Sequence, residues 1–316
     1  SSIFGIGDDA ALLQTKNMEQ VITTDLLTEG VHFDLSYSPL KHLGYKAVVV
    51  NLSDIAAMGA KPTQVLLSLA LPPKFTLEAY EELIAGVLLA CSMYKVDLVG
   101  GDTSPSLQHL HINLTAIGEV EPGKAFRQNT AKANEVICVS GSLGAAFAGF
   151  LLLDREKEVF KANPEVQPDL EEFPYLLEKQ LKPEARFDVL GHLKEANIPV
   201  SAMTDVSDGL ATDLLRLAKA SKLGIRLDAE RIPIDQEVYK LAETMKLDPF
   251  VLALNGGEDY ELLFTVPVSH AQALESIPDL HIIGFTTDQE NNYHMVDSSG
   301  KAHPIAAGGW DGFTQS

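Results

Sequence analysis

Cysteine is scarce in this chain. Cys91 and Cys138 are its two cysteines, far apart and within apolar stretches, where the residue behaves as a small hydrophobe. With no Cys-x-x-Cys and no cluster of Cys and His, a disulfide scaffold is excluded and a cytoplasmic setting fits best. Basic residues are also few, 24 Lys and Arg against 44 Asp and Glu for a net charge of −20. No basic cluster stands out, which argues against nucleic acid or an anionic membrane surface as partner. No apolar run approaches the length that spans a bilayer, and the opening "SSIFG" is no signal peptide. An initiator Met is also absent, so the native protein is expected to begin earlier. Low-complexity segments, short repeats and protein-kinase signatures are missing too.

What is present is a chain of 316 residues, 46% apolar, which exceeds the usual size of a single core and predicts two domains. Apolar runs bounded by turn residues predict strands at 20–26, 64–71, 97–99, 111–119 and 135–140. Helices at 40–58 and 77–94 between them make an interleaved α/β first half. A polar segment rich in breakers, 120–135, places the boundary near 133, giving domains 1–133 and 134–316. The second is read as α+β, with helices at 143–153, 183–196 and 208–221 and strands at 200–203 and 260–266. The charged stretch 154–173 reads as a solvated excursion.

Acidic residues recur at turns. They stand in "GIGDDAALL" (Asp8, Asp9), "TTDLLTEG" (Asp25), "NLSDIAAMGA" (Asp54), "LVGGDTS" (Asp102), "MTDVSDGLATDL" (Asp205, Asp208) and "NGGEDYELLF" (Glu258, Asp259). One such turn is ordinary, because Gly supplies positive φ and Asp bonds its own backbone; six ask for a common cause. Asp54 is the most informative. Its helix is apolar nearly all round, and Asn51, three residues earlier, shares its side. A charge there needs a partner, either a neighbouring protein group or a metal. Carboxylates that converge must take up protons or bind cations, and all-oxygen ligation favours Mg²⁺ or Mn²⁺ over Zn²⁺. Ser207 and Asp208 precede an amphipathic helix, as a cap alone or as a cap that also serves an anion site.

Magnesium held by acidic loops points to polyphosphate chemistry. The usual phosphate loop is not the means. "GEVEPGKA" (118–125) matches G-x-x-x-x-G-K but has Ala125 where Ser or Thr would hold the metal, and it does not lead into a helix.

In combination, "GIGDDAALL", "TTDLLTEGVHF", "VVNLSDIAAMGA", "LVGGDT", "VSDGLATDL", "GGEDYELLF" and "GGWDGF" resemble the thiamine-monophosphate kinase family of the aminoimidazole ribonucleotide synthetase superfamily. The resemblance runs from Gly5 almost to the C-terminus. It implies two α/β domains, a homodimer joined through the sheet of the first, and transfer of the ATP γ-phosphate to thiamine monophosphate with several Mg²⁺ ions. Carried over by position, Asp9, Thr23, Thr24, Asp25, Asp54, Asp102, Asp205 and Asp208 are expected metal ligands, with Asp25, Asp54, Asp102 and Asp208 at the centre of catalysis. Gly101, Asp102, Arg127 and Ser207 are expected at ATP, and His32, Glu258 and Trp310 at the thiamine substrate. The chain departs from the family pattern at "RQNTAKANE", at "GWDGF", and in lacking the helix before "GIGDD". A phosphate-monoester acceptor is largely ionised at neutral pH, so no general base is required. Another ATP-using member of the superfamily, a non-catalytic nucleotide or metal binder, and a metal-dependent phosphatase are the alternatives.

Overall fold

The segment Leu40–Ala57 is apolar almost all round, and such a helix must be covered on several sides. In the computed structural model, which describes residues 2–4, 9, 11–14, 17–165, 167–168 and 170–308, it is. The chain forms two compact units. The first holds residues 1–125, 153–170 and 181–185; the second holds 126–152, 171–180 and 186–316.

The first unit runs β1 (Ser2–Phe4), β2 (Ala11–Gln14), β3 (Glu19–Thr28), α1 (Leu40–Ala57), β4 (Lys61–Leu71), α2 (Leu77–Tyr94), β5 (Asp97–Pro105) and β6 (His111–Val120). Its six strands lie in the order β1-β2-β3-β6-β4-β5. β4 and β5 pair in parallel, which requires a crossover, and α2 supplies it. Along β6 every second residue is buried, so one face of the sheet is covered and the other is open. Helix α1 packs on the covered face and against α2. The two helices approach through a reciprocal pair of glycines: a Cβ on Gly44 would stand 2.0 Å from the Leu83 carbonyl oxygen, and one on Gly86 1.9 Å from that of Lys41. That contact buries α1 on the side away from the sheet.

The second unit continues with β7 (Glu135–Ser140), α3 (Ala145–Ala162), α4 (Pro174–Leu181), α5 (Phe187–Glu195), β8 (Ala202–Asp205), α6 (Leu210–Ser221), β9 (Gly224–Asp228), α7 (Gln236–Met245), α8 (Pro249–Asn255), β10 (Leu262–Pro267), α9 (Ala271–Leu274), β11 (Leu280–Thr287), β12 (Tyr293–Val296) and β13 (Ala302–Pro304). Its seven strands follow the order β13-β12-β9-β11-β7-β10-β8. β7 is buried at every residue, hence its unbroken apolar run. Leu210 and Leu214 of α6 pack with Val139, Leu263 and Ile225 in one core. The antiparallel pairing of β10 with β7 and β8 brings Ser140, Leu262 and Asp205 to one end of the sheet. No described helix is long and apolar enough to cross a membrane.

Several expectations need correction. The charged stretch after residue 153 is helical as far as Ala162, because α3 continues through it. Its charges are paired there: Arg155 with the buried Glu156, and Lys157 with Asp154 at 2.5 Å and Asp34 at 3.5 Å. Residues 183–186 are not helical; α5 starts at Phe187. β5 runs on to Pro105, well past Val99. The glycines of the false phosphate loop sit on β6 and in a turn that Glu19 holds by accepting the Gly123 N–H at 3.1 Å.

Candidate active site

In the first unit the acidic residues gather where α1 crosses β3. Residues three apart on a helix share a side, so Asn51 and Asp54 both look toward that strand. Asn51 Oδ1 accepts the Asp25 backbone N–H at 3.1 Å, and its Nδ2 donates to the Ala47 carbonyl at 3.1 Å. The Thr23 hydroxyl donates to Asp54 Oδ2 at 2.5 Å. Asp9 offers a carboxylate oxygen within 4.8 Å of one from Asp54. Burial pushes the Asp25 carboxyl up to about 6. Among the described residues the donors gathered here are hydroxyl and carboxylate oxygens, the donor set of a hard divalent cation, and they fit Mg²⁺.

Thr24 does not join them. Successive side chains of a strand point to opposite faces, so Thr24 lies on the open face. There it donates to the Leu114 carbonyl at 3.1 Å and meets Thr115 and Asn113. Asp102 stands apart too, exposed on the edge strand β5 opposite Ser68. That is three strands from β3, about 14 Å at ordinary strand spacing. Gly101 allows this edge to lie close: a Cβ on it would fall 1.7 Å from the Leu67 carbonyl oxygen. His32 follows β3 in a turn where its Nδ1 accepts the Thr28 N–H at 3.1 Å. The neutral ring therefore carries its proton on Nε2, which is left to donate.

In the second unit Asp205 ends β8, almost fully buried, and Ser207 and Asp208 form the turn before α6. The expected cap is replaced by another arrangement. Gly209 occupies the cap position without a side-chain bond, and Asp213, one turn into the helix and buried, reaches back. Its Oδ2 accepts the N–H groups of Ser207 at 3.1 Å and Asp208 at 2.9 Å, while Oδ1 takes Arg216 at 3.0 Å. Arg216 also donates to Asp208 Oδ2 at 2.7 Å. Arg127 begins a short 3-10 turn whose Gln128 donates to Thr204 Oγ1 at 3.1 Å, next to Asp205, and takes Ser221 on its carbonyl at 2.8 Å. Asp213 and Gln128 were not anticipated. An acid three residues inside the helix that "SDGL" opens was the available signal for the first; the second had none.

The "GGEDYEL" stretch divides its three acids among three tasks. Asp259, buried, accepts the N–H groups of Gly144 at 2.8 Å and Ala146 at 3.3 Å, so it caps α3, and burial pushes its carboxyl up to about 7. Glu261, 1% exposed, takes Ser140 at 2.6 Å, Lys179 at 2.8 Å and Arg186 in a close ion pair. Glu258 alone is half-buried, and it accepts Gln180 Nε2 at 3.1 Å. Gly257, Glu258 and Tyr260 all have positive φ, at 72°, 59° and 51°. Two non-glycine residues in that region mark stored strain. Trp310 lies outside the described residues.

Two sheet-bearing units, each presenting acidic side chains at turns, define a class. Residues 7–120 match the family model for the AIR synthase related protein N-terminal domain, and residues 132–297 that for its C-terminal domain. The thiamine-monophosphate kinase of Bacillus subtilis (strain 168) is 40% identical over 263 residues, 83% of this chain and 77% of the relative. That of Buchnera aphidicola subsp. Schizaphis graminum (strain Sg) is 37% identical over 310 residues, 95% of this chain and 90% of the relative. A solved structure described as AaThiL complexed with AMPPCP and TMP superposes with a TM-score of 0.83 at 34% identity, covering 98% of this chain and 92% of that one. The chain belongs to the thiamine-monophosphate kinase family.

Proposed function

We propose that this chain phosphorylates thiamine monophosphate at the expense of ATP, giving thiamine diphosphate, with Mg²⁺ as the metal. The observation that carries the reading is the family membership over nearly the whole chain, joined to the oxygen-only donor set around Asp54. Asp9, Thr23, Asp25 and Asp54 in the first unit would hold metal, and Asp205 and Asp208 in the second would each serve as metal ligands. Asp102, which stands apart from the Asp54 group on the β5 edge, is assigned to nucleotide and to a metal other than the one held beside Asp54, and Gly101, Arg127 and Ser207 to ATP. His32, Glu258 and Trp310 are assigned to the thiamine substrate. Thr24 keeps a place in this reading only through its main chain, since its hydroxyl is engaged on the far face of the sheet.

When bound, Mg²⁺ supplies charge neutralisation for the transferring phosphoryl group. The protein's own part is positioning. Asp213 fixes the turn that carries Ser207 and Asp208, Gln128 fixes the turn that carries Arg127, and His32 presents Nε2–H as a donor. The acceptor phosphate is already largely ionised at neutral pH, so no side chain need remove a proton from it.

The reading includes a cytoplasmic homodimer. Two buried free thiols suit a reducing compartment. The open face of the first unit's sheet, where Leu26 and Leu66 are 54% and 37% exposed beside Thr24, Thr115 and Asn113, is the surface offered to a second copy. Product analysis with ATP, Mg²⁺ and thiamine monophosphate, omitting each in turn, tests the activity. Thiamine diphosphate only in the complete mixture is the expected result. Free phosphate released from the monoester without ATP would instead favour a phosphatase.

A further inference from the structure

The strained turn at Gly257–Tyr260 is held at its backbone by the Ser207 and Val206 carbonyls, which accept the Glu258 and Tyr260 N–H groups at 2.8 and 2.9 Å, and the acids Glu258 and Glu261 that flank it are held by one helix. On α4, Lys179 reaches Glu261 at 2.8 Å and the next residue, Gln180, reaches Glu258 at 3.1 Å. Neighbouring residues of one helix thus grip both ends of the acidic stretch. Helix α4 is itself held in register by α3. A Cβ on Gly149 would stand 2.2 Å from the Leu176 carbonyl oxygen and 2.9 Å from the Gln180 Cβ, and one on Gly256 2.5 Å from the Phe147 Cβ. Gln180 is 5% exposed, so its amide is locked in place by packing. A carboxylate that accepts from a fixed neutral donor gains a defined direction.

We propose that Gln180 is a positioning residue for substrate specificity: its amide aims the Glu258 carboxylate at the thiamine ring system. This rests on the assignment of Glu258 to the substrate. Thiamine monophosphate carries an aminopyrimidine and a cationic thiazolium, both of which favour an ionised, oriented carboxylate. Gln180 touches neither the nucleotide nor the phosphates in this scheme.

The test is steady-state kinetics on the full chain for wild type, Q180L, Q180N, E258A and Q180L/E258A, varying thiamine monophosphate and ATP separately. Q180L removes the donor and Q180N keeps the amide while shortening its reach; the second serves should the first fail to fold. Either is expected to raise KM for thiamine monophosphate about tenfold, the scale of a hydrogen bond to a charged group. KM for ATP should move less than about twofold. In the E258A background the same change should add nothing, since the group it aims is gone. If E258A raises KM for thiamine monophosphate but neither Gln180 variant does, the inference fails and the substrate assignment stands. If E258A leaves that KM unchanged, the assignment itself fails and the inference with it. A Gln180 effect that falls on both substrates alike, or adds in full to that of E258A, marks a merely structural role and overturns the proposal.

Discussion

Asp54→Asn should make the protein more stable and less active. Asp9 and Asp54 offer carboxylate oxygens within 4.8 Å of each other. Two unit charges at that distance repel by about 0.9 kcal/mol in bulk water and about 3.5 kcal/mol at an effective dielectric of 20. Both residues are partly exposed, so the true cost lies between, roughly 1–2 kcal/mol after screening. Asn keeps the shape and still leaves an oxygen for the Thr23 hydroxyl, so the variant sheds the repulsion while keeping that bond. In EDTA its melting temperature should rise by about 2–8 °C. Mg²⁺ reverses the order. At a hundred times its dissociation constant a ligand adds about 2.7 kcal/mol to a folded state that binds it, and the variant should gain only a small part of this. Turnover of thiamine monophosphate should fall about a hundredfold or more, as when a charge-stabilising group is removed elsewhere. Thermal melts with EDTA or Mg²⁺, paired with product assays, read all three. A variant that melts lower than wild type in EDTA yet keeps its turnover would refute the reasoning, because Asp54 would then be a structural acid.

Glu261→Gln removes the anion between Lys179 and Arg186 and leaves two cations side by side; breaking a buried pair of this kind costs about 3–5 kcal/mol, which urea unfolding would report as a lowered midpoint. A loss below about 1 kcal/mol would show that Asp188 and Asp279, which also hold Arg186, suffice. Burial pushes the Cys91 thiol up to about 11 and Cys138 well above its ordinary value. Neither should react with a maleimide in the native protein at pH 8, and both should label in denaturant; native labelling would place a thiol at the surface. The acid side of stability follows from Asp188 and Asp297. Burial works against the Asp188 charge, but Arg186 outweighs it and holds its carboxyl below the usual range; Ser299 and His303 do so for Asp297. Acids with depressed folded values stabilise above their unfolded pKa near 4 and lose that contribution as pH falls through the folded one. Asp188→Asn should therefore flatten the drop in melting temperature below about pH 4; an unchanged acid limb would exclude that carboxylate as its source.

How much of this was legible depended on whether the deciding contact was local. The buried helix with its polar side could be read because a spacing of three places Asn51 and Asp54 together wherever the helix packs. Thr23, Thr24 and Asp25 looked like one ligand run only while the strand's two-residue alternation was ignored; the pleat separates Thr24 from its neighbours. The stretch after residue 153 read as solvated because its charges pair with near neighbours, Lys157 with Asp154 at 2.5 Å, while the weaker contact to Asp34 lies 123 residues away. Glu261 was opaque because its partners Ser140, Lys179 and Arg186 come from β7, α4 and the approach to α5. Asp213 lies between these cases. The motif "SDGLATDL" contains it, but its task of holding two N–H groups follows only once Gly209, with its φ of 104°, is seen to turn Ser207 and Asp208 back over the helix end. A cap normally precedes its helix; here the acid that bonds the loop lies one turn inside, which frees the Ser207 hydroxyl from capping its own helix. That exchange gives a physical reason for a motif with Ser and Asp before the helix and a second Asp within it. The inner acid maintains the turn, and the outer side chains remain partly exposed, with Asp208 taking Arg216 rather than the helix end.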